Sequence, residues 1–357
     1  MFKLKYDDFL VYDEATGKYS MSAEQQVRDQ TERNRWKTTG ITLLKDWRLY
    51  LMLVPMILVY LLWKYLPMYE LVASFKYGEQ VSALDRQWVG VYNFEMIFSN
   101  PSYAPNFWMA FRNTFTLAFY GLLFGFPMPI ILALFFNEVR SNIARSIMQV
   151  CVYLPKFLST VVVTTLAIAL FSGPSGKTAT DYGIVSKFLM LFASEDSALV
   201  TQAKTVGQGL VFSARYFRAI YIVTDLWEHA GYDSIVFFAA VIAVSPTSYE
   251  AAQIDGAGKM AQMRYVVIPS ILSTVVIMLI MKMGSLLSIG YEKLYLFSNE
   301  GNYNVVEVVS TLANTWGTNL GTVPFGIAAE MVNNLIGMIL VIGSNFIARK
   351  ASNVSLY

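Results

Sequence analysis

Long apolar runs broken by short polar ones organise this chain. A helix needs about 20 mostly apolar residues to cross the hydrocarbon layer of a bilayer. Six stretches approach that length: Leu49–Leu66, Thr114–Phe136, Ile147–Phe171, Ala219–Val244, Ile271–Ile289 and Phe325–Ile347. They predict an all-α integral membrane protein with six transmembrane helices. Polar residues interrupt several of the runs. Lys64 lies near the end of the first, where its stem reaches water. Pro127 and Pro129 remove backbone donors from the second and predict a kink. Pro155 and Lys156 lie near the start of the third. Asp225, Glu228, His229 and Asp233 crowd the first half of the fourth. Lys282 lies inside the fifth, and Glu330, Asn333 and Asn334 inside the sixth.

Composition narrows the class. Of 357 residues, 55% are hydrophobic and only 15% charged, too little charge to wet the surface of a soluble protein of this size. The net charge of +2 gives no basic face for nucleic acid. One cysteine, Cys151, excludes a disulfide framework or a cysteine metal cluster, and one histidine, His229, cannot build a histidine metal site alone. No cleavable signal is read at the start, since Met1 to Arg48 is polar.

Lys and Arg in the short loops set the orientation. Arg28, Arg33, Arg35, Lys37, Lys45 and Arg48 precede the first run, and Arg140, Arg145 and Lys156 follow the second. Lys259 and Arg264 lie between the fourth and fifth, and Arg349 and Lys350 close the last. The connection between the fifth and sixth runs has Lys293 alone against Glu292, Glu300 and Glu307. Six spans then place both termini, and the loop at 245–270, in the cytoplasm. Residues 1–48 read as a cytoplasmic tail in which Ser22–Trp47 suits a helix along the inner headgroups or a merely solvated basic flank. Tyr6–Tyr19 is mixed polar and aromatic, with no assignable role. Residues 49–357 form the transmembrane part, with a core at 108–347.

The loop between the fourth and fifth runs, "SPTSYEAAQIDGAGKMAQMRYVVIPS", carries the clearest local signals. Ser245 precedes Pro246 as a helix N-cap, and Thr247 with Glu250 fits a capping box. Gly256 and Gly258 offer left-handed stops, so the helix runs about three turns. A second helix restarts near Lys259 and ends before Pro269. Tyr249, Ala252, Gln253 and Gly256 share a face, and small side chains let a partner approach closely. From spacing alone, a partner-docking helix and an ordinary surface helix are equally supported.

"EAAQIDGAG" followed by "VVIP" resembles the EAA signature of ATP-binding-cassette importer permeases, with aliphatic changes at Val266 and Ile268. The resemblance runs over nearly the whole chain from about Trp47. "RNTF" (112–115), "FGFPMPIILALFFNEV" (124–139), "YLPKF" (153–157), "WEHAGYDSIVFFAA" (227–240) and "GYEKLYLF" (290–297) are similar to the LplB-type oligosaccharide permeases, a maltose-permease-like branch. Glu330 stands where such permeases usually have small residues, and the first forty-odd residues are longer than typical. The resemblance implies the type I importer permease (MetI-like) fold in a bacterial plasma membrane. It also implies that Glu250, Ala251, Ala252, Asp255 and Gly256 form a coupling helix inserted into a cytoplasmic ATPase. Implied partners are a second homologous permease, two ATP-binding subunits that hold ATP and Mg, and an extracellular lipid-anchored solute-binding protein. No cofactor is expected in this chain. The cargo that the resemblance implies is a carbohydrate.

Sugar passage needs hydrogen-bonding side chains, and buried polar groups in membrane helices are expensive enough to be candidates for it. These are Asn113, Tyr120, Asp225, Trp227, Glu228, Tyr232, Lys282, Glu330, Asn333 and Asn334. Each has a structural alternative: Lys282 and Glu330 could neutralise one another, and Asn333 could bond a neighbouring helix. Tyr291, Glu292 and Lys293 read as gate or extracytoplasmic structure. "GPSGKTAT" (173–180) lacks phosphate-loop spacing, so ATP hydrolysis is assigned elsewhere. Three other readings compete: a peptide or small-solute permease, an ion-coupled secondary transporter and an integral-membrane enzyme. The last lacks clustered catalytic groups, and no residue is expected to be catalytic.

Overall fold

The computed structural model describes residues 10–13, 18–21, 47–77, 87–173, 182–193, 197, 200–201, 209–318 and 321–352. The expected tail helix at Ser22–Trp47, apart from Trp47, and most of "GPSGKTAT" lie outside them. The chain divides into two compact units, Met1–Tyr69 and Glu70–Tyr357.

In the first unit, β1 (Leu10–Asp13) and β2 (Lys18–Met21) form an antiparallel hairpin in which Leu10 pairs with Met21 and Asp13 with Lys18. This hairpin adds strands that the apolar pattern did not indicate. Helix α1 (Trp47–Tyr60) follows and passes into a π turn at Leu61–Tyr65. None of its side chains is buried, as expected of a helix whose apolar surface faces lipid. A 3-10 segment, Leu66–Phe75, runs across the unit boundary in sequence.

The second unit is helical. Helix α2 (Tyr92–Ser99) leads to α3 (Ala104–Gly125) and α4 (Pro127–Glu138). The span begins at Ala104, ten residues before the expected Thr114, because the aromatic stretch "FWMAF" belongs to the helix. The two prolines interrupt the ladder, yet Phe126 N–H still donates to the Leu122 carbonyl. Ala104–Glu138 therefore passes as one 35-residue apolar helix rather than a sharply kinked one.

Helix α5 (Asn142–Tyr153), a 3-10 turn (Leu154–Phe157) and α6 (Thr160–Phe171) correct the expected third span. The two halves meet at 101° instead of forming one rod. Pro155 lacks a donor, and Ser159 caps the new helix through its hydroxyl, which accepts from Val162 N–H at 3.3 Å.

After α7 (Ile184–Leu191) comes α8 (Phe217–Ile242), a 26-residue helix, and then α9 (Pro246–Ile254), bent from it by 68°. Helix α10 (Lys259–Gln262), a π turn (Met263–Val267) and α11 (Ile268–Gly284) form one continuous apolar helix. The expected stop before Pro269 does not occur. Ile268 N–H donates to Met263 O, five residues back, so the ladder slips by one residue just ahead of a proline that cannot donate. Short helices α12 (Tyr291–Phe297), α13 (Tyr303–Val306) and α14 (Val309–Gly317) precede the long α15 (Val323–Ser352). Among the described residues, four helices are long and apolar enough to cross a membrane, or up to six if each bent pair is one span.

Three apolar clusters hold the unit together. One joins Leu117 of α3, Phe217 and Ile220 of α8, and Leu294 and Phe297 of α12. A second joins α2, α3, α14 and α15 through Ile97, Phe107, Leu312 and Ala328. The third packs Val241, Val267 and Ile271 beside Tyr249 of α9. Close approach of helices depends on small residues at several points, Gly231 and Gly326 among them. A Cβ on Gly231 of α8 would overlap the Val152 carbonyl, and one on Gly326 would lie 2.7 Å from Ala313 O.

Candidate functional site: a charged cavity and an exposed helix

A cavity of about 550 Å³ opens among α3, α6, α8, α11 and α12. Its charged lining comprises Lys156, Asp225, Glu228, His229, Asp233, Lys282, Glu292 and Lys293. The break between α5 and α6 supplies Lys156, α8 supplies the acids and histidine one turn apart, and α12 supplies Glu292 and Lys293. Lys293 Nζ lies 2.8 Å from Glu228 Oε2 and 3.4 Å from Asp225 Oδ1. His229 Nδ1 lies 3.5 Å from Asp225 Oδ1 and 3.9 Å from Glu228 Oε2. Asp225, Glu228 and His229 offer three donor atoms within 4.8 Å of one another, a spacing that could hold a metal ion. The Lys293 ammonium contacts both carboxylates and supplies one positive charge against their two, so the cluster is held as an ion-pair network.

Of the ten residues expected along the substrate path, three line this cavity: Asp225, Glu228 and Lys282. The others are placed elsewhere. Asn113 is fully buried and donates to the Asn304 and Glu307 carbonyls at 2.9 Å, while Arg218 donates to its Oδ1 at 3.1 Å. Asn333 is buried and donates to the Leu287 carbonyl at 3.1 Å, tying α15 to the chain beyond α11. Tyr120, Trp227, Tyr232 and Asn334 are exposed and do not line this cavity. Glu330 is partly buried in α15, and no ion pair joins it to Lys282. The proposed neutralisation of those two charges is thus corrected. The sequence reading did not assign His229, Asp233 or Lys293 to the path. Lys293 reads from sequence, with Tyr291 and Glu292, as gate or extracytoplasmic structure, whereas its carboxylate partners are 65 and 68 positions away.

The second feature is α9. No residue of it is buried, and Ile254 is 87% exposed. The expected caps do not form: Ser245 makes no capping bond, and its hydroxyl instead meets that of Thr247 at 2.7 Å. The C-terminus forms as expected. Gly256 adopts φ +76°, with its N–H donating to Gln253 O at 3.0 Å and Ala257 N–H donating to Ala252 O at 2.8 Å. This is a Schellman turn, which needs a left-handed residue at that point. Gly258 is extended rather than left-handed, and α10 restarts at Lys259 as expected. The loop is held from below. Lys259 Nζ lies 3.4 Å from Glu138 Oε2 of α4, and buried Gln262 donates to Ala257 O at 2.8 Å. Tyr249 and Ala252 turn inward, while Glu250, Ala251, Gln253, Asp255 and Gly256 face out.

Comparison with known proteins places the chain in a family. Residues 125–348 match the family described as binding-protein-dependent transport system inner membrane component. The chain is 33% identical to Protein LplB of Bacillus subtilis over 88% of its own length and 92% of that protein's. It is 32% identical to the polygalacturonan/rhamnogalacturonan transport system permease protein YteP of the same organism, over 91% and 95%. Among solved structures, a chain of a bacterial ABC transporter for import of the acidic polysaccharide alginate aligns with TM-score 0.74 and 31% identity. That alignment covers 88% of this chain and 99% of the other. A helical unit with a polar cavity, an exposed loop helix and this extent of likeness has one reading: the chain belongs to the binding-protein-dependent transport system inner membrane components, the permease subunits of ATP-binding-cassette importers.

Proposed function

We propose that this chain is the membrane permease of a carbohydrate importer of the bacterial plasma membrane, with six spans, cytoplasmic termini and α9 as its coupling helix. The observation that carries the coupling role is the exposed helix ending in an apolar Ile254 at a rigid glycine turn, braced by Lys259 to α4. Such a knob suits a groove on a cytoplasmic ATPase, which would hold ATP and Mg and pass its closing motion to α8 and α11. Glu250, Ala251, Asp255 and Gly256, which face out, are its contact residues; Ala252, expected among them, turns inward and backs the helix instead. A second homologous permease, two ATPase subunits and a lipid-anchored binding protein complete the complex.

Several relatives carry names with anionic cargo, including polygalacturonan and alginate. Among the described residues, Lys156 and Lys282 line the cavity with no carboxylate within 4.0 Å, which supports an acidic oligosaccharide as the solute. Asp233 and Glu292 share the same wall, so the attraction is local rather than a uniform positive field.

The coupling role is tested by Gly256→Val and Glu250→Lys. A side chain at φ +76° costs about 1–2 kcal/mol of backbone strain, while nothing lies near enough to clash. Both variants are expected to reach the membrane, lose ATPase co-purification and lose uptake at least about tenfold. Normal uptake with a normal complex removes the assignment.

A further inference from the structure

Three interactions converge on one buried ammonium group. Lys293 and Glu228 are each 7% exposed and sit 2.8 Å apart, whereas Asp225, 3.4 Å from Lys293, is 36% exposed at the cavity wall. The ammonium also stands 5.4 Å over the Tyr221 ring. Burial is therefore graded across the cluster: Glu228 neutralises the cation, and Asp225 remains open to the cavity. A buried ion pair adds little stability over well-packed apolar side chains, but it does fix charges in place. Lys293 and His229 both approach the same atom, Asp225 Oδ1, at 3.4 and 3.5 Å. Among the described residues, Oδ2 has no partner.

The geometry points to Lys293 as a positioning residue for cargo recognition. Held by Glu228, it clamps one oxygen of Asp225 and leaves the other to accept a hydrogen bond from a hydroxyl of a polyhydroxylated solute. His229 Nδ1 lies 3.5 Å from the same carboxylate oxygen and at hydrogen-bond distance from the Asp225 backbone carbonyl (3.2 Å). The inference rests on the importer reading above and specifies which residue arranges its cavity.

The test uses the complete importer with its ATPase and binding protein in liposomes, with galacturonate, alginate and maltose pentamers as probes. Two quantities are read together: solute moved and ATP hydrolysed. Lys293→Met alone strands a buried Glu228 and could fail to assemble, so the informative variant is Lys293→Met with Glu228→Gln, which removes both charges. Uptake is expected to fall about tenfold in this variant while binding-protein-stimulated ATPase falls no more than about twofold, because the motor cycles without securing cargo. Asp225→Asn should reproduce that uncoupling, and Lys293→Arg should restore most of the uptake. If uptake and ATPase fall together, or neither falls, the positioning role is overturned and the pair is only structural. If the wild-type complex moves none of the pentamers, the carbohydrate reading falls, and this role with it.

Discussion

Glu307 is a buried carboxyl in the connection between α13 and α14, with Oε1 lacking a hydrogen-bond partner. Burial pushes its pKa up from 4.5 to about 7, against a smaller opposing effect of a hydrogen bond with Thr311. The folded protein thus holds this proton more tightly than the unfolded chain does. Its contribution is most favourable below the ordinary carboxylate pKa and is lost as pH rises to about 7. Glu307→Gln should therefore raise the melting temperature of the detergent-purified protein more at about pH 8 than at about pH 5. An equal effect at both values contradicts the burial argument. Gly231 gives a second residue-level prediction. Gly231→Ala presses a methyl group into the Val152 carbonyl and should destabilise the α5–α8 contact by about 1–3 kcal/mol, read as lower yield and melting temperature. Asn333→Ala removes the bond to Leu287 O and should cost about 1 kcal/mol of stability before any effect on cargo. Asp225 and Glu228 could be picked out from sequence because charges inside an apolar run are costly. Lys293 could not, since no local periodicity reveals a partner on another helix.

At the scale of elements, apolar runs located the helices well but not their interruptions. The run at 147–171 is continuous in hydrophobicity, yet the chain turns through 101° inside it because Pro155 and Ser159 end one ladder and start another. The start of α3 was placed late because its first turns mix Asn106, Arg112 and Asn113 with aromatics. In the loop after α8, glycine chemistry was readable and the serine cap was not. A left-handed turn admits few residues besides glycine, whereas Ser245 had an equally good partner in the Thr247 hydroxyl. Capping thus contributes little to α9, and Ser245→Ala should leave both complex assembly and uptake within about twofold of wild type. A larger loss means that Ser245 acts through a contact other than a helix cap.

For the molecule as a whole, the apolar runs indicate a membrane bundle, and the family match covers residues 125–348 of it. The composition of the cavity emerged only on folding, because its charges come from four separate segments. The π turn at Met263–Val267 lies between the exposed knob and the rest of α11, which ends beside the cavity at Lys282. Each residue of an α-helix advances the chain by about 100°, so the surplus residue stored in this wide turn is a phase reserve. Removing one residue from it should let an ordinary ladder close while Lys282 keeps its azimuth. Adding one to α11 beyond Pro269 should swing Lys282 off the cavity. The bundle thereby carries, a few residues from its drive point, a spare increment of rotation that could be released without unwinding the helix.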